Sequence, residues 1–330
     1  MDTLAEALAA EQRIRPYLPP TPLLRAEALS RETGANVHLK LESLQPTGSF
    51  KVRGALNTVL SLDDAARRRG IVTASSGNHG AAVAYALSLT GAPGTVYVPE
   101  HASAGKVAAM RRYGAAVVAG GDDSLLSELA ARAAAAAEGR VYISPYNDRR
   151  VVAGQATAGL EIGRALPRID AAFIAVGGGG LVAGAGGALK ALHPGIRIIG
   201  CQPENSQVMA ASVAAGRVLD LPSAPTLSDG TAGGVELDSL TFPLVQRIVD
   251  GFELVPEDEI AAAMRWCAAR ERLVAEGAAG VAVAALLRQR ALWRGKTVVV
   301  VICGGNVDAA TLVEVLSLGP PAADGRPRTA

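Results

Sequence analysis

Short β-branched and apolar runs alternate along this chain with longer segments rich in alanine and leucine. Runs at residues 37–42 (VHLKLE), 70–75, 94–99, 115–120, 171–177, 196–202 and 297–303 (TVVVVIC) have the length and composition of strands. Segments 78–91, 103–114, 123–139 and 258–273 lie between or beyond them and predict helices. Such alternation predicts parallel sheet covered by helices, an α/β fold with two doubly wound parallel-sheet domains. Two wound units fall near 70–120 and 171–202, each with a glycine-rich turn after a strand. Segment 146–155 (YNDRRVVAGQ) is expected to cross from one domain to the other. The longest apolar run, 171–189, is broken by Gly177, Gly178, Gly179, Gly180, Gly184, Gly186 and Gly187, so it reads as strand, turn and helix rather than a membrane span. The Pro/Gly-rich tail 320–330 is expected to be disordered.

Charge narrows the partners. Lysine and arginine (32) nearly balance aspartate and glutamate (31), so no basic field awaits nucleic acid and a small molecule is the expected partner. Cys201, Cys267 and Cys303 are far apart with no CxxC spacing, which fits a reducing cytoplasm and no structural zinc. The first residues, MDTLAEALAAEQRI, form an amphipathic segment without the basic and apolar regions of a signal peptide.

Four motifs carry candidate chemistry. QPTGSFKVRGA (45–55) sets Lys51 in a loop of small and hydroxyl residues; an amine in an apolar setting loses its proton easily and becomes a good imine former. GGGGL (177–181) follows a strand and opens a helix, where backbone amides can converge on a phosphate. A tight turn packing helix on sheet would use the same glycines. So would a dinucleotide site, because residues 178–183 match G-x-G-x-x-A and Glu204 follows the next strand. SSGNHG (75–80) offers amides, hydroxyls and the Asn78 side chain to an anion or planar ligand, or simply caps the helix behind it. CGGN (303–306) ends the most apolar strand, where open α/β sheets place ligands, although Cys303 is equally a small core residue.

Together these motifs resemble the fold-type II pyridoxal-phosphate enzymes, in the serine/threonine dehydratase and serine racemase branch. The resemblance runs in order through PTPLLRAEAL (20–29), LKLESLQPTGSFKVRGA (39–55), SSGNHG, VVAGQATAGLEI (151–162), VGGGGLVAG (176–184) and VICGGN (301–306). It implies a tryptophan synthase β-like fold with pyridoxal 5'-phosphate in the cleft between a large domain (1–68 and 150–330) and a small mobile one (69–149). Lys51 would form the Schiff base, and Phe50 would lie against the ring. Asn78 would hold the ring oxygen, and Cys303 would face the ring nitrogen. Gly177, Gly178, Gly179, Gly180 and Leu181 would cradle the phosphate. Ser75, Ser76, Gly77, Asn78 and His79, with Gln155 nearby, would bind the substrate carboxylate.

The implied reaction is α,β-elimination of water from L-threonine or L-serine, giving 2-oxobutanoate or pyruvate and ammonia, with Lys51 as base at the α-carbon. Ser76 stands where the racemases carry their second-face serine, which keeps racemisation open. A dehydratase of 3-hydroxyaspartate or phenylserine is the next alternative, and a nicotinamide-dependent oxidoreductase a distant one. No metal site is expected, because Gln202 and Val208 stand where metal-dependent relatives carry carboxylates; only Glu204 could substitute. Glu276 is expected to border the cofactor pocket. The chain ends soon after CGGN, so no regulatory domain is expected. A cytoplasmic homodimer without membrane or nucleic-acid partners completes the reading.

Overall fold

The computed structural model describes residues 3–318, so the expected disorder of 320–330 lies outside the described residues. Ten strands form two sheets. The larger contains β1 (Leu23–Arg25), β2 (Asn36–Leu41), β7 (Ala171–Ala175), β8 (Arg197–Pro203), β9 (Gly251–Val255) and β10 (Thr297–Ile302), in the order β1-β2-β10-β7-β8-β9. The smaller contains β3 (Ile71–Ala74), β4 (Gly94–Val98), β5 (Ala116–Ala119) and β6 (Val141–Tyr142), in the order β5-β4-β3-β6. Every pairing is parallel except β1 with β2.

All seven expected strands form, each within a residue or two of its predicted ends. β1, β6 and β9 gave no strand signal: two are very short, and the third, GFELV, is a partly exposed edge. The helix expected over 258–273 runs from Glu257 to Trp266. It then widens into a π-turn, Cys267–Glu271, closed by Arg272 at φ 58°. Segment 146–155, expected to cross between domains, contains the start of a 17-residue helix, Arg149–Ala165, capped by the Asp148 side chain.

Parallel topology brings β2, β3, β7 and β10 to end at one cleft, and each delivers one of the four motifs there. β10 is wholly apolar from Val298 to Ile302 and fully buried, which fits a strand covered on both faces. Helix Lys51–Ser61 is held against helix Arg149–Ala165 at a glycine contact: a β-carbon on Gly154 would sit 2.5 Å from the Arg53 carbonyl oxygen and the Gly54 Cα. The two backbones therefore touch, and Lys51 begins a helix with little freedom to shift.

Candidate active site

The loops at the cleft are stitched by backbone bonds. Phe50 N donates to Cys303 O (3.0 Å), Gly305 N to Gly48 O (2.9 Å) and Glu276 N to Gly304 O (3.1 Å). Lys51 opens its helix directly after Phe50, so its amine sits at the positive end of a helix dipole. Nζ donates to Pro145 O at 3.0 Å and lies 5.2 Å from the Phe50 ring centre. Burial pulls the Lys51 pKa down to about 8, against the opposing pull of Cys303 and Glu276. A useful fraction of this amine is then unprotonated near neutrality, as a nucleophile or base requires.

Facing it, the glycine loop is shaped by close neighbours. A side chain on Gly178 would collide with the Tyr146 ring, and one on Gly177 would come within 3.0 Å of the Thr231 Cα. Gly179 adopts φ 85°, which a side chain would strain. Thr241 Oγ1 pins the loop by donating to Gly178 O at 2.5 Å. The amides of Gly177, Gly178 and Gly179 have no acceptor among the described residues, which leaves three consecutive N–H groups free beside a helix start, a setting suited to an anion.

In the 75–79 loop, Gly77 N donates to Ser75 Oγ (3.1 Å), while the amides of Ser76, Asn78 and His79 find no acceptor among the described residues at the mouth of helix Asn78–Thr90. Ser75, Ser76, Gly77 and Asn78 are only half-buried, open to the cleft. His79 is buried, with Nε2 3.1 Å from Ile143 O; burial and the nearby Lys51 charge bring its pKa down to about 3, so the ring stays neutral at physiological pH. Cys303 is buried, and its thiol is pushed well above its ordinary value by burial and by Glu276.

Gln155 departs from expectation. It is fully enclosed, and its Oε1 accepts the Gly54 amide at 3.2 Å, so it braces the Lys51 helix from behind. The family resemblance sets it near the substrate carboxylate; its place in helix Arg149–Ala165 turns it inward. Gln202 is likewise occupied, with Oε1 accepting from Ala210 N at 2.7 Å.

Two groups that sequence reasoning missed or left open are central. Behind Lys51, the fully buried Arg53 guanidinium lies between Glu42 (2.7 and 2.9 Å) and Glu161 (2.8 and 2.7 Å) and also donates to Thr157 Oγ1 at 3.0 Å. Lys40 joins Glu161 at 2.6 Å. Nothing local marks these residues; only the fold gathers them. At the ring end of the cleft, the nearly buried Glu276 carboxylate accepts from Asn78 Nδ2 (3.0 Å to each oxygen) and Asn306 N (3.1 Å), with Cys303 Sγ 3.9 Å away.

Burial pushes the Glu276 pKa up to about 7; Asp229 adds to the rise, and Asn78, Asn306 and Lys106 oppose it. An acid raised in this way contributes stability that is full below its unfolded value and is lost as pH rises through about 7. Glu276→Gln removes that loss. From about pH 5 to about pH 8 the cofactor-free variant is therefore expected to gain up to about 3 kcal/mol relative to wild type. Urea unfolding at both pH values measures it; Lys51 and Cys303, the other titrating neighbours, are common to both proteins. A difference that does not change with pH would contradict the raised value.

A glycine loop with free amides, a lysine of lowered pKa and the Asn78 amide are gathered at the cleft. The family profile described as pyridoxal-phosphate dependent enzyme matches residues 14–304. The chain belongs to this family. As a pyridoxal-phosphate-dependent enzyme it is 40% identical to the L-threonine ammonia-lyase of Thermotoga maritima, over 97% of this chain and 79% of that one. It is 35% identical to the serine racemase of Oryza sativa, over 93% and 91%. The structure of processed threonine deaminase isoform 2 from Solanum lycopersicum superposes with a TM-score of 0.91 at 33% identity, covering 96% of this chain and 92% of that one. The residues of this pyridoxal-phosphate-dependent enzyme fit the cofactor, since the unpaired amides at Gly177, Gly178 and Gly179 suit its phosphate and Lys51 its aldehyde.

Proposed function

We propose that this chain is an L-threonine/L-serine ammonia-lyase, which eliminates water from the 3-hydroxy amino acid to give 2-oxobutanoate or pyruvate and ammonia. The observation that carries this reading is the partly deprotonated Lys51 amine at a helix start, opposite a glycine loop with unpaired amides. The threonine ammonia-lyase relatives spanning nearly the whole chain support the substrate class. When bound, the cofactor supplies an electron sink that makes the α-proton of an amino acid removable.

Within that reading Lys51 would hold the cofactor, and its amine, partly unprotonated, would serve as the base at the substrate α-carbon. The Ser76, Asn78 and His79 amides bind the substrate carboxylate, and the neutral His79 ring adds no charge there. Asn78 would donate to the ring oxygen, Phe50 would flank the ring, and Gly177, Gly178, Gly179, Gly180 and Leu181 would hold the phosphate. Cys303, kept as a thiol, would face the ring nitrogen without protonating it. We assign the domains as 1–68 with 150–330, and 69–149; that the four-stranded sheet lies wholly inside 69–149 supports the division. The chain is read as a cytoplasmic homodimer; the net charge of +1 offers no field for nucleic acid, and three buried free cysteines fit a reducing compartment.

Steady-state assays over a panel of 3-hydroxy amino acids test the function, and the largest kcat/KM is expected for threonine or serine. A maximum for 3-hydroxyaspartate or phenylserine would overturn the substrate assignment. Racemisation is a second reading, favoured by the half-buried Ser76 at the cleft. Ser76→Ala is expected to lower D-serine formation at least about tenfold while the 2-oxo acid output changes less. Unchanged D-serine formation would remove Ser76 from that role.

A further inference from the structure

Glu276 occupies the residue before helix Gly277–Arg288, where a carboxylate ordinarily caps its own helix, yet its side chain makes no capping bond. It turns the other way, into the cleft. There both oxygens are engaged by Asn78 Nδ2 at 3.0 Å, and one also accepts from Asn306 N at 3.1 Å. No lysine or arginine is bonded to it; the charged groups that reach it, Lys51, Asp229 and Lys106, act at longer range. A side chain on Gly304 would come 2.5 Å from Oε1, so the space beside Cys303 is reserved for this carboxylate. A buried acid held only by neutral donors is costly to keep for packing alone.

The bonds around it have a direction. Thr47 O can only accept, so it takes the Asn306 Nδ2 donor at 2.8 Å. Asn306 Nδ2 also donates to Asn78 Oδ1 at 2.7 Å, which turns the other end of the Asn78 amide, Nδ2, towards Glu276. An ionised carboxylate can only accept, so it enforces the same choice. One Asn78 N–H is thereby spent on Glu276, and the second has no acceptor among the described residues. Asn78 belongs to the four-stranded-sheet unit, while Glu276 and Asn306 belong to the loops of the six-stranded one.

We propose that Glu276 is a positioning residue that fixes which end of the Asn78 amide faces the cofactor ring, and so joins the two sheet units at the ring end of the cleft. The inference rests on the reading of Asn78 as the ring-oxygen donor. Without Glu276 the Asn78 amide keeps only the Asn306 donor to hold its orientation, so the flipped form, with an oxygen facing an oxygen, gains population. Gln in its place offers one acceptor and one donor where two acceptors are needed, so one of the Asn78 and Asn306 bonds is lost.

The test is equilibrium binding of pyridoxal 5'-phosphate to cofactor-free protein, followed by its visible absorption, with no amino acid present. Glu276→Gln and Asn78→Ala are each expected to weaken binding about tenfold, the worth of one such hydrogen bond. The double variant is expected to be no weaker than the worse single, because both act through one contact. Wild-type affinity in Glu276→Gln, or losses that multiply in the double variant, would overturn the proposal. Wild-type affinity in Asn78→Ala would overturn it by removing its premise. Asn306→Asp serves should Glu276→Gln fail to fold: an acceptor there pulls the Asn78 donor away, and unchanged affinity would again overturn the inference. Turnover of threonine plays no part in these measurements, so an error in the substrate assignment would leave them unaffected.

Discussion

A Lys51→Ala variant is expected to lose at least about 10³-fold in turnover of its amino acid, and with it the borohydride-sensitive absorption near ~410 nm of a lysine-bound cofactor. In rate terms that is at least about 4 kcal/mol of lost barrier lowering. The size follows from two roles falling on one nitrogen, covalent holder and base, both favoured by the burial that brings its pKa to about 8. The phosphate cradle does not touch this side chain, so the variant is expected still to bind the cofactor non-covalently. Rapid turnover with an intact visible band would remove Lys51 from the chemistry.

Arg53→Met is expected to destabilise the fold by about 3–5 kcal/mol, the typical cost of breaking a buried ion pair from one side. Methionine fills similar volume, so the loss is electrostatic. Glu42 and Glu161 would face each other with Lys40 and the half-buried Arg15, both on Glu161, left to offset them. Burial by itself would raise Glu161; the charges and hydrogen bonds of Arg53 and Lys40 outweigh it and hold the carboxyl down at about 2. A depressed acid contributes stability that is present above its unfolded value and is lost as pH falls through about 2. The penalty in Arg53→Met is therefore expected to be greatest near neutrality and to shrink in acid, where the carboxyls take up protons. Denaturant unfolding against pH checks this, and a penalty that grows in acid would contradict it. Because the cluster joins Thr21, Lys40, Glu42, Arg53 and Glu161, it ties the segment before β1, the end of β2, the turn that follows it and two helices into one body. Loss of this support also loosens the platform on which Lys51 stands.

Much of the site was legible along the chain because its parts are local. A glycine loop after a strand, a small-residue loop around a lysine and a polar turn opening a helix each announce themselves within about ten residues. Strand–helix alternation similarly predicted a parallel α/β fold, and parallel strands dictate that the loops at their C-terminal ends meet. β9 escaped notice because an edge strand carrying Glu253 lacks the apolar run that marks its neighbours.

What escaped the sequence depends on residues far apart in the chain. Gln155 lies in a motif with cofactor-site neighbours, yet a helix turn of about 100° per residue decides which side chain meets the cleft, and Gln155 meets the Gly54 amide instead. Arg53 shares its motif with Lys51, but its two carboxylate partners, at positions 42 and 161, are identifiable only once two helices and a strand end are packed together. Glu276 follows the same rule, since its partners at 78 and 306 come from different sheet units. The order of residues determined the elements and the local chemistry; tertiary packing decided which polar groups are buried together, because burial and long-range pairing have no local signature.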